Sequence, residues 1–320
     1  MSRKRRAGAQ RKRRSDYGTW KKSGRDQDGM LFVAQQKFVR LDTLAEFFAP
    51  GYERAVDPPK QHQHDQAPSV GDADGGSPQP AAKKQRGGKR TGLPWPKDTR
   101  HRMMAVQRIA SHWADPMGFA ELWQPWANQP PWVRITQPGL VELHLDVDTE
   151  GEPYWTEIPW PEDKKLRDDG HEFLSHTHRI NMVRMALARG DVPDIPQKHT
   201  WHSEREIEAT LPKKVRGVRL PHKTDGYVEL EVDWTWQFER KDGDIDIIQL
   251  PRGSRIAIEV ELSRKRFAAY ERFILPDLLK FYDFALYFAT KDAYQAVVDA
   301  RRNSLPTNDL RRRIRILLLE

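Results

Sequence analysis

Apolar side chains first become regular between residues 29 and 50, where Met30, Leu31, Val33, Ala34, Phe38, Val39, Leu41, Leu44, Phe47 and Phe48 recur near helical spacing. The pattern predicts a helix, a short turn and a second helix capped by Asp42, with Gly51 stopping it. A helix-turn-helix module begins this way, and so does an ordinary helical hairpin. Helical period returns over 99–113 through Met103, Met104, Val106, Ile109 and Ala110. A loop holding Trp123 and Trp126 leads into 131–143, which reads as a strand, a turn and a short final helix, where a winged helix has its wing and closing helix. Its tryptophans, Trp132 included, read as packing residues. Over 171–188 the apolar positions Phe173, Leu174, Ile180, Val183 and Leu187 mark an amphipathic helix ending at Gly190. His176 and His178 lie on it, available to orient a phosphate or to serve as plain core or surface residues.

Beyond residue 198 another helix begins, with Ser203 and Glu206 forming a capping box. Period two then takes over across 227–238, Lys241-Asp242-Gly243-Asp244 signals a hairpin turn, and 245–250 is the partner strand. A strand through Glu259 and Glu261 follows, then a helix over 266–275 that Pro276 kinks or restarts. A strand at 284–289, a helix at 292–302 and a last strand at 314–319 complete the chain. Strands and helices alternating at this spacing imply parallel crossovers in a mixed sheet, so the C-terminal half is expected to be α/β.

Composition changes the picture at two places. The chain of 320 residues is 38% hydrophobic and 31% charged, and its mean hydropathy of −0.82 is too polar for every segment to pack. Residues 54–94, rich in Pro, Gly, Gln, Asp and Ser and closed by Lys83, Lys84, Arg86, Lys89 and Arg90, read as a disordered linker. His62 and His64 belong to that solvated tract. Residues 1–28 read as a disordered basic tail. Its first 25 residues hold eleven basic side chains against one acid, Asp16, and the rest of the chain carries −2 of the net +8. Arg3, Lys4, Arg5, Arg6, Arg11, Lys12, Arg13 and Arg14 form a phosphate-neutralising arm for DNA, or a solvated arm without a specific partner. With no cysteine, disulfides and thiolate zinc sites are excluded. No apolar run is long enough for a bilayer and no signal peptide is visible, so a cytoplasmic protein without a membrane partner is expected.

The chemistry centres on Glu259 and Glu261. Side chains alternate across a strand, so both face one side while Ile258, Val260 and Leu262 face the other. Two like charges on a buried face call for a cation between them. Asp225, entering an apolar strand from a loop containing Pro221, supplies a third carboxylate. Three acids suit a hard divalent ion, Mg²⁺ or Mn²⁺. Asp225 and Glu259 would then bridge the ion, Glu261 would orient or deprotonate a water, and Lys265 would offset charge on a phosphate. Glu206 is explained by its cap; Glu204 is not, and is expected to face the cluster. Tyr270 and Tyr282 offer covalent attack as an alternative to water.

Four segments, Ser203-Glu204-Arg205-Glu206, Thr224-Asp225-Gly226, Ile258 through Lys265 and Tyr282 through Phe288, together resemble the replication-relaxation family of plasmid and mobile-element proteins. That family is similar to the MobC-type mobilisation relaxases. The resemblance implies a winged helix-turn-helix domain over 29–148, interrupted by the 54–94 linker, joined to a PD-(D/E)XK-like, restriction-endonuclease-like domain over 165–320. It also implies nicking or processing of DNA at a plasmid origin, Asp225, Glu259 and Glu261 as metal ligands, and Glu204 as a helix carboxylate. Two departures stand out: Glu261 takes the place of the usual lysine, and the proline lies four residues before the aspartate, at Pro221. A catalytically inactive DNA-binding regulator of plasmid replication or transfer is the second reading. Relaxosome or replication proteins are further partners, and a homodimer is left open.

Overall fold

The computed structural model describes residues 23–49, 99–145, 155, 160, 171–192, 195–211, 221–239 and 245–319, and it is a mixed α/β protein. Residues 1–22 of the expected tail, the 54–94 linker and the turn at 241–244 lie outside the described residues. Residues 23–28, expected to be disordered tail, instead cap and open the first helix, because Ser23 and Asp26 satisfy its free N–H groups ahead of the apolar run.

Ser23 starts helix α1 (Gly24–Gln35) with a capping box: its hydroxyl accepts from the Asp26 N–H, and the Asp26 carboxylate accepts from the Ser23 N–H. The next helix differs from expectation. Val39–Arg40 is a short strand, β1, so the backbone stays extended up to Arg40 and α2 (Leu41–Phe47) starts before Asp42 can cap it. Asp42 instead sits in the first turn, where the helix dipole favours an acid, and accepts from Arg40 at 2.7 and 2.6 Å. Helix α3 (Thr99–Ala114) follows, then β2 (Ala120–Trp123), β3 (Trp132–Ile135) and α4 (Gln137–Glu142), capped by the Thr136 hydroxyl. Strands β1, β3 and β2 form an antiparallel sheet in that order. Met30, Phe32, Val33, Leu41, Leu44, Val106, Ala110 and Trp113 fill the first core beneath it. The strand β2 was not legible in its Trp-containing stretch, because the residues that follow it obey neither period.

Helix α5 (His171–Arg189) joins this unit to a second one. Met185 packs into the first core, whereas Ile180, Val183 and Leu187 pack into the second. Between them Asn181 Nδ2 donates to the Phe38 carbonyl at 3.0 Å and Arg184 Nη2 to Gln35 Oε1 at 2.5 Å, both from fully buried side chains.

The second unit is built on a five-stranded sheet, and its remaining elements are β4 (His199–Ser203), α6 (Glu204–Thr210), β5 (Gly226–Leu230), β6 (Trp234–Glu239), β7 (Ile245–Leu250), β8 (Arg255–Glu261), β9 (Phe284–Ala289), α9 (Lys291–Ser304), α10 (Asn308–Arg312) and β10 (Ile314–Leu318). Sheet order is β10-β9-β8-β5-β4: the first three strands are parallel, and β5 and β4 run antiparallel to their neighbours. The stretch before the Ser203 cap is thus an edge strand, while the capping box itself is present. The single strand expected over 227–238 is two. It breaks after Leu230, and β6 pairs with β7 as a separate ribbon. Asp233 accepts from the Arg252 N–H at 2.8 Å and Gly253 turns at φ +87°, together separating ribbon from sheet.

Between β8 and β9 the chain makes α7 (Phe267–Ala269), a π-helical turn (Tyr270–Ile274) and α8 (Leu275–Phe281). Pro276 lies in the first turn of α8, where its missing N–H is least harmful, and the wider turn ahead of it accommodates the ring. The alternation in β8 divides the layers: Ile256, Ile258 and Val260 pack with α5, while Ala257 packs with Tyr270, Ile274, Leu278, Ala293 and Val297 on the opposite face. Among the described residues no helix is long and apolar enough to cross a membrane.

Candidate active site

The antiparallel register Gly226↔Ile258 carries Asp225, just before β5, alongside the end of β8. Gly226 is required there by space: a Cβ would lie 2.6 Å from the Trp201 ring and 3.0 Å from the His202 carbonyl oxygen. Asp225 Oδ2 accepts from the Val260 N–H at 2.7 Å, fixing the carboxylate against β8. Glu259 and Glu261 are 4% and 3% exposed. Each pairs directly with a basic side chain: His222 Nε2 is 3.0 Å from Glu259 Oε1, and Lys265 Nζ is 2.7 Å from Glu261 Oε2. Tyr270 donates to the same Glu261 oxygen at 3.2 Å. The loop holding His222 is anchored by Asp277, which accepts from the His222 N–H at 2.6 Å.

Electrostatics tie these groups into one cluster. Burial opposes the charge of Lys265, yet Glu261, Glu259 and Asp225 hold its pKa above the ordinary lysine value. Burial and the charge of Asp225 push Glu259 up to about 7, against the pull of His222 and Lys265. On the α5 side, His176 Nε2 donates to the Val260 carbonyl at 2.8 Å and lies 3.4 Å from Asp225 Oδ2. Burial disfavours its charge, but Asp225 outweighs that and raises its pKa to about 9.

Glu204, expected at the cluster, is held elsewhere. It opens α6 and pairs with Lys37 at 2.8 Å and Lys223 at 2.7 Å, and both lysines also reach Glu208. Despite burial, Lys37 and Lys223 depress its pKa. Its charge also acts on His176. Tyr270 and Tyr282 are poor nucleophiles, since burial raises both phenol pKa values and their hydroxyls are bonded to Glu261 and Thr224. Two contributors, His222 and Lys223, went unassigned in the sequence; the short spacing from His222 to Asp225 in one loop was their only signal.

Asp225 and Glu259 carry carboxylate oxygens, and the Val260 carbonyl beside them accepts from His176, so the cluster offers oxygen donors of the class that Mg²⁺ and Mn²⁺ take. Tyr287, opposite Glu259 in the β8–β9 register, has a buried hydroxyl without a partner among the described residues, and the charges of Glu259, Glu261 and Asp225 all act on it. Among the described residues no three acid or histidine side chains already stand at ligand spacing. His222 and Lys265 instead engage Glu259 and Glu261, so a cation would compete with them.

A second polar surface lies on α3. Val106, Ala110 and Trp113 face the core, leaving Gln107, Arg108, Ser111 and His112 exposed along the opposite side. These are side chains able to donate to base edges and phosphates. No protein-family model, curated protein or solved structure matches the chain.

Proposed function

We propose that the chain is a Mg²⁺- or Mn²⁺-dependent DNA endonuclease or nickase, with a winged helix-turn-helix unit joined to a restriction-endonuclease-like unit. One observation carries the reading: the Val260 N–H holds Asp225 at 2.7 Å against the end of β8 beside the buried Glu259 and Glu261, so three carboxylates meet at the end of two adjoining strands with Lys265 paired to Glu261. The order α1, β1, α2, α3, β2, β3 supports the first unit, with α3 as the helix offered to the major groove. Parallel β8 and β9 joined by a helical crossover support the second.

Asp225 and Glu259 would hold the cation. When bound, it supplies positive charge to a phosphodiester oxygen and makes hydroxide available from water near neutral pH. Lys265 places its ammonium where charge builds on the phosphate. Glu261, oriented by Lys265 and Tyr270, takes the proton of the attacking water as the water oxygen bonds to phosphorus. The phosphorus–oxygen bond to the leaving strand end breaks, and that oxygen takes a proton from solvent. Asp225 stays fixed by the Val260 N–H and by His176. The resemblance to the replication-relaxation family supports a plasmid or mobile-element setting.

The test is conversion of supercoiled plasmid to open circles with Mg²⁺ or Mn²⁺. Wild type should nick and Glu259→Gln should not. Retained DNA binding without cleavage by wild type, across many origins, would assign the chain to the regulator class instead.

A further inference from the structure

On the α5 face of the sheet, just past the ends of β8 and β9, lies a cleft of about 450 Å³, inside the roughly 300–1,000 Å³ range of small-molecule sites. It opens where both units and α5 meet. One wall is a single face of α5, on which His171, Ser175, His178 and Arg179 recur at helical spacing. Trp126, Gln129 and Trp132 form the facing wall. Its floor is Leu262 and Thr290, just past the C-terminal ends of β8 and β9, the side of an α/β sheet where ligands gather. Leu262 directly follows Glu261, and Thr290 Oγ1 donates to its carbonyl at 2.9 Å.

The lining has the chemistry of a nucleotide site. Trp126 is partly buried and its ring lies 5.2 Å from that of His171, giving the mouth an aromatic surface. Trp132 is 1% exposed, and its indole N–H has no partner among the described residues. Arg179 brings positive charge, while Arg40 is already paired with Asp42 at 2.6 Å. Burial, with the charges of Arg40 and Arg179, pushes His178 down to about 4, so that histidine is neutral and bonds Thr43 at 3.2 Å. Gln129 adds an amide able to pair with a base edge.

We propose that this cleft receives one unpaired nucleotide of a single-stranded DNA segment, its base against Trp126 and its phosphate toward Arg179, one step along the strand from the phosphodiester at the carboxylate cluster. A paired base cannot offer its face to an indole, so the ligand is single-stranded or flipped out of the duplex. The choice of DNA and the position of the neighbouring phosphodiester rest on the nuclease reading; the cleft and its lining do not.

The test uses the full chain in EDTA and reads anisotropy of two labelled strands of equal length, an oligothymidylate and an abasic strand with the same phosphates. The oligothymidylate should bind at least about fivefold tighter, as expected for stacking of a base on an aromatic ring. The difference should persist as salt weakens both, because the phosphate contribution of any basic arm is common to the two. Trp126→Ala should abolish the difference and leave abasic binding unchanged. Ser175→Phe, which fills the cleft without removing a buried group, should do the same and covers the case in which the tryptophan variant fails to fold. Equal affinities in wild type, or a base preference that survives Ser175→Phe, would overturn the proposal. Base-dependent binding without cleavage under any divalent ion would sink the nuclease reading alone, whereas cleavage without base preference would sink the cleft alone.

Discussion

Replacing Glu259 by glutamine should stabilise the protein at alkaline pH in the absence of divalent metal. The carboxyl is 4% exposed, and burial together with Asp225 raises its pKa from the ordinary 4.5 to about 7. For an acid the sign follows directly. Below about 4.5 it is protonated whether the chain is folded or not. Between 4.5 and about 7 the unfolded chain has released a proton that the folded chain keeps, so stability falls as pH rises. Above about 7 the full deficit is present, about 3 kcal/mol for the gap between the two values.

Glutamine is isosteric with the protonated carboxyl and can still accept from His222. The variant should therefore match wild type at pH 5 and exceed it at pH 8. A gain of about 3 kcal/mol corresponds to about 5–10 °C in Tm for a chain of this size. Thermal unfolding in EDTA at the two pH values measures it. Added Mg²⁺ or Mn²⁺ should raise Tm for wild type at pH 8 and leave the variant almost unmoved, because binding to the native state alone stabilises by mass action. Equal Tm at pH 8, or the same gain at pH 5, would refute the claim that Glu259 is a strained anion awaiting a cation.

Three further outcomes are expected. Lys265→Met should lower the nicking rate about a hundredfold or more, by removal of the one ammonium shared by the three carboxylates; an unchanged rate in the plasmid assay would remove Lys265 from the site. Asn181→Leu leaves the Phe38 carbonyl without its buried donor and should destabilise the chain by about 1–3 kcal/mol, read by urea unfolding. Gly226→Ala places a methyl 2.6 Å from the Trp201 ring and should destabilise by about 1–3 kcal/mol while displacing Asp225, so Tm and metal binding should fall together.

Much of the second unit was legible because its strands obey simple rules. Glu259 and Glu261 share one face of β8, and the crossovers that follow β8 and β9 were visible as apolar runs separated by helical period. The Ser203–Glu206 cap was readable because its mechanism is local. What escaped notice depended on distant partners. β4 is an edge strand rich in histidine, tryptophan and serine, whose residues follow no clear alternation, and only its pairing with β5 makes it a strand. Asp42 lost its cap because Val39 and Arg40 pair with β3, residues far along the chain. Glu204 had a free carboxylate by sequence, but Lys37 and Lys223 converge on it from other segments. The cleft draws on three regions at once, which no local pattern predicts.

The same long-range contacts bind the two units mechanically. The C-terminal end of α1 meets α5 and α6 through buried polar groups: Gln35 accepts from Arg184, the Ala34 carbonyl accepts from Arg205 at 3.0 Å, and the Phe38 carbonyl accepts from Asn181. Lys37, in the left-handed region at φ 66°, extends this contact to Glu204, which also holds Lys223 in the loop carrying His222 and Asp225. Left-handed backbone at a residue other than glycine is uncommon and persists only where surrounding contacts fix it. Here those contacts are Glu204 and Glu208 of α6. Buried donors and acceptors of this kind tolerate little sliding, because each broken pair leaves an unsatisfied group in the interior. The exposed face of α3 is therefore held in a fixed relation to the carboxylate cluster, and DNA seated on one would meet the other at a set distance along the strand.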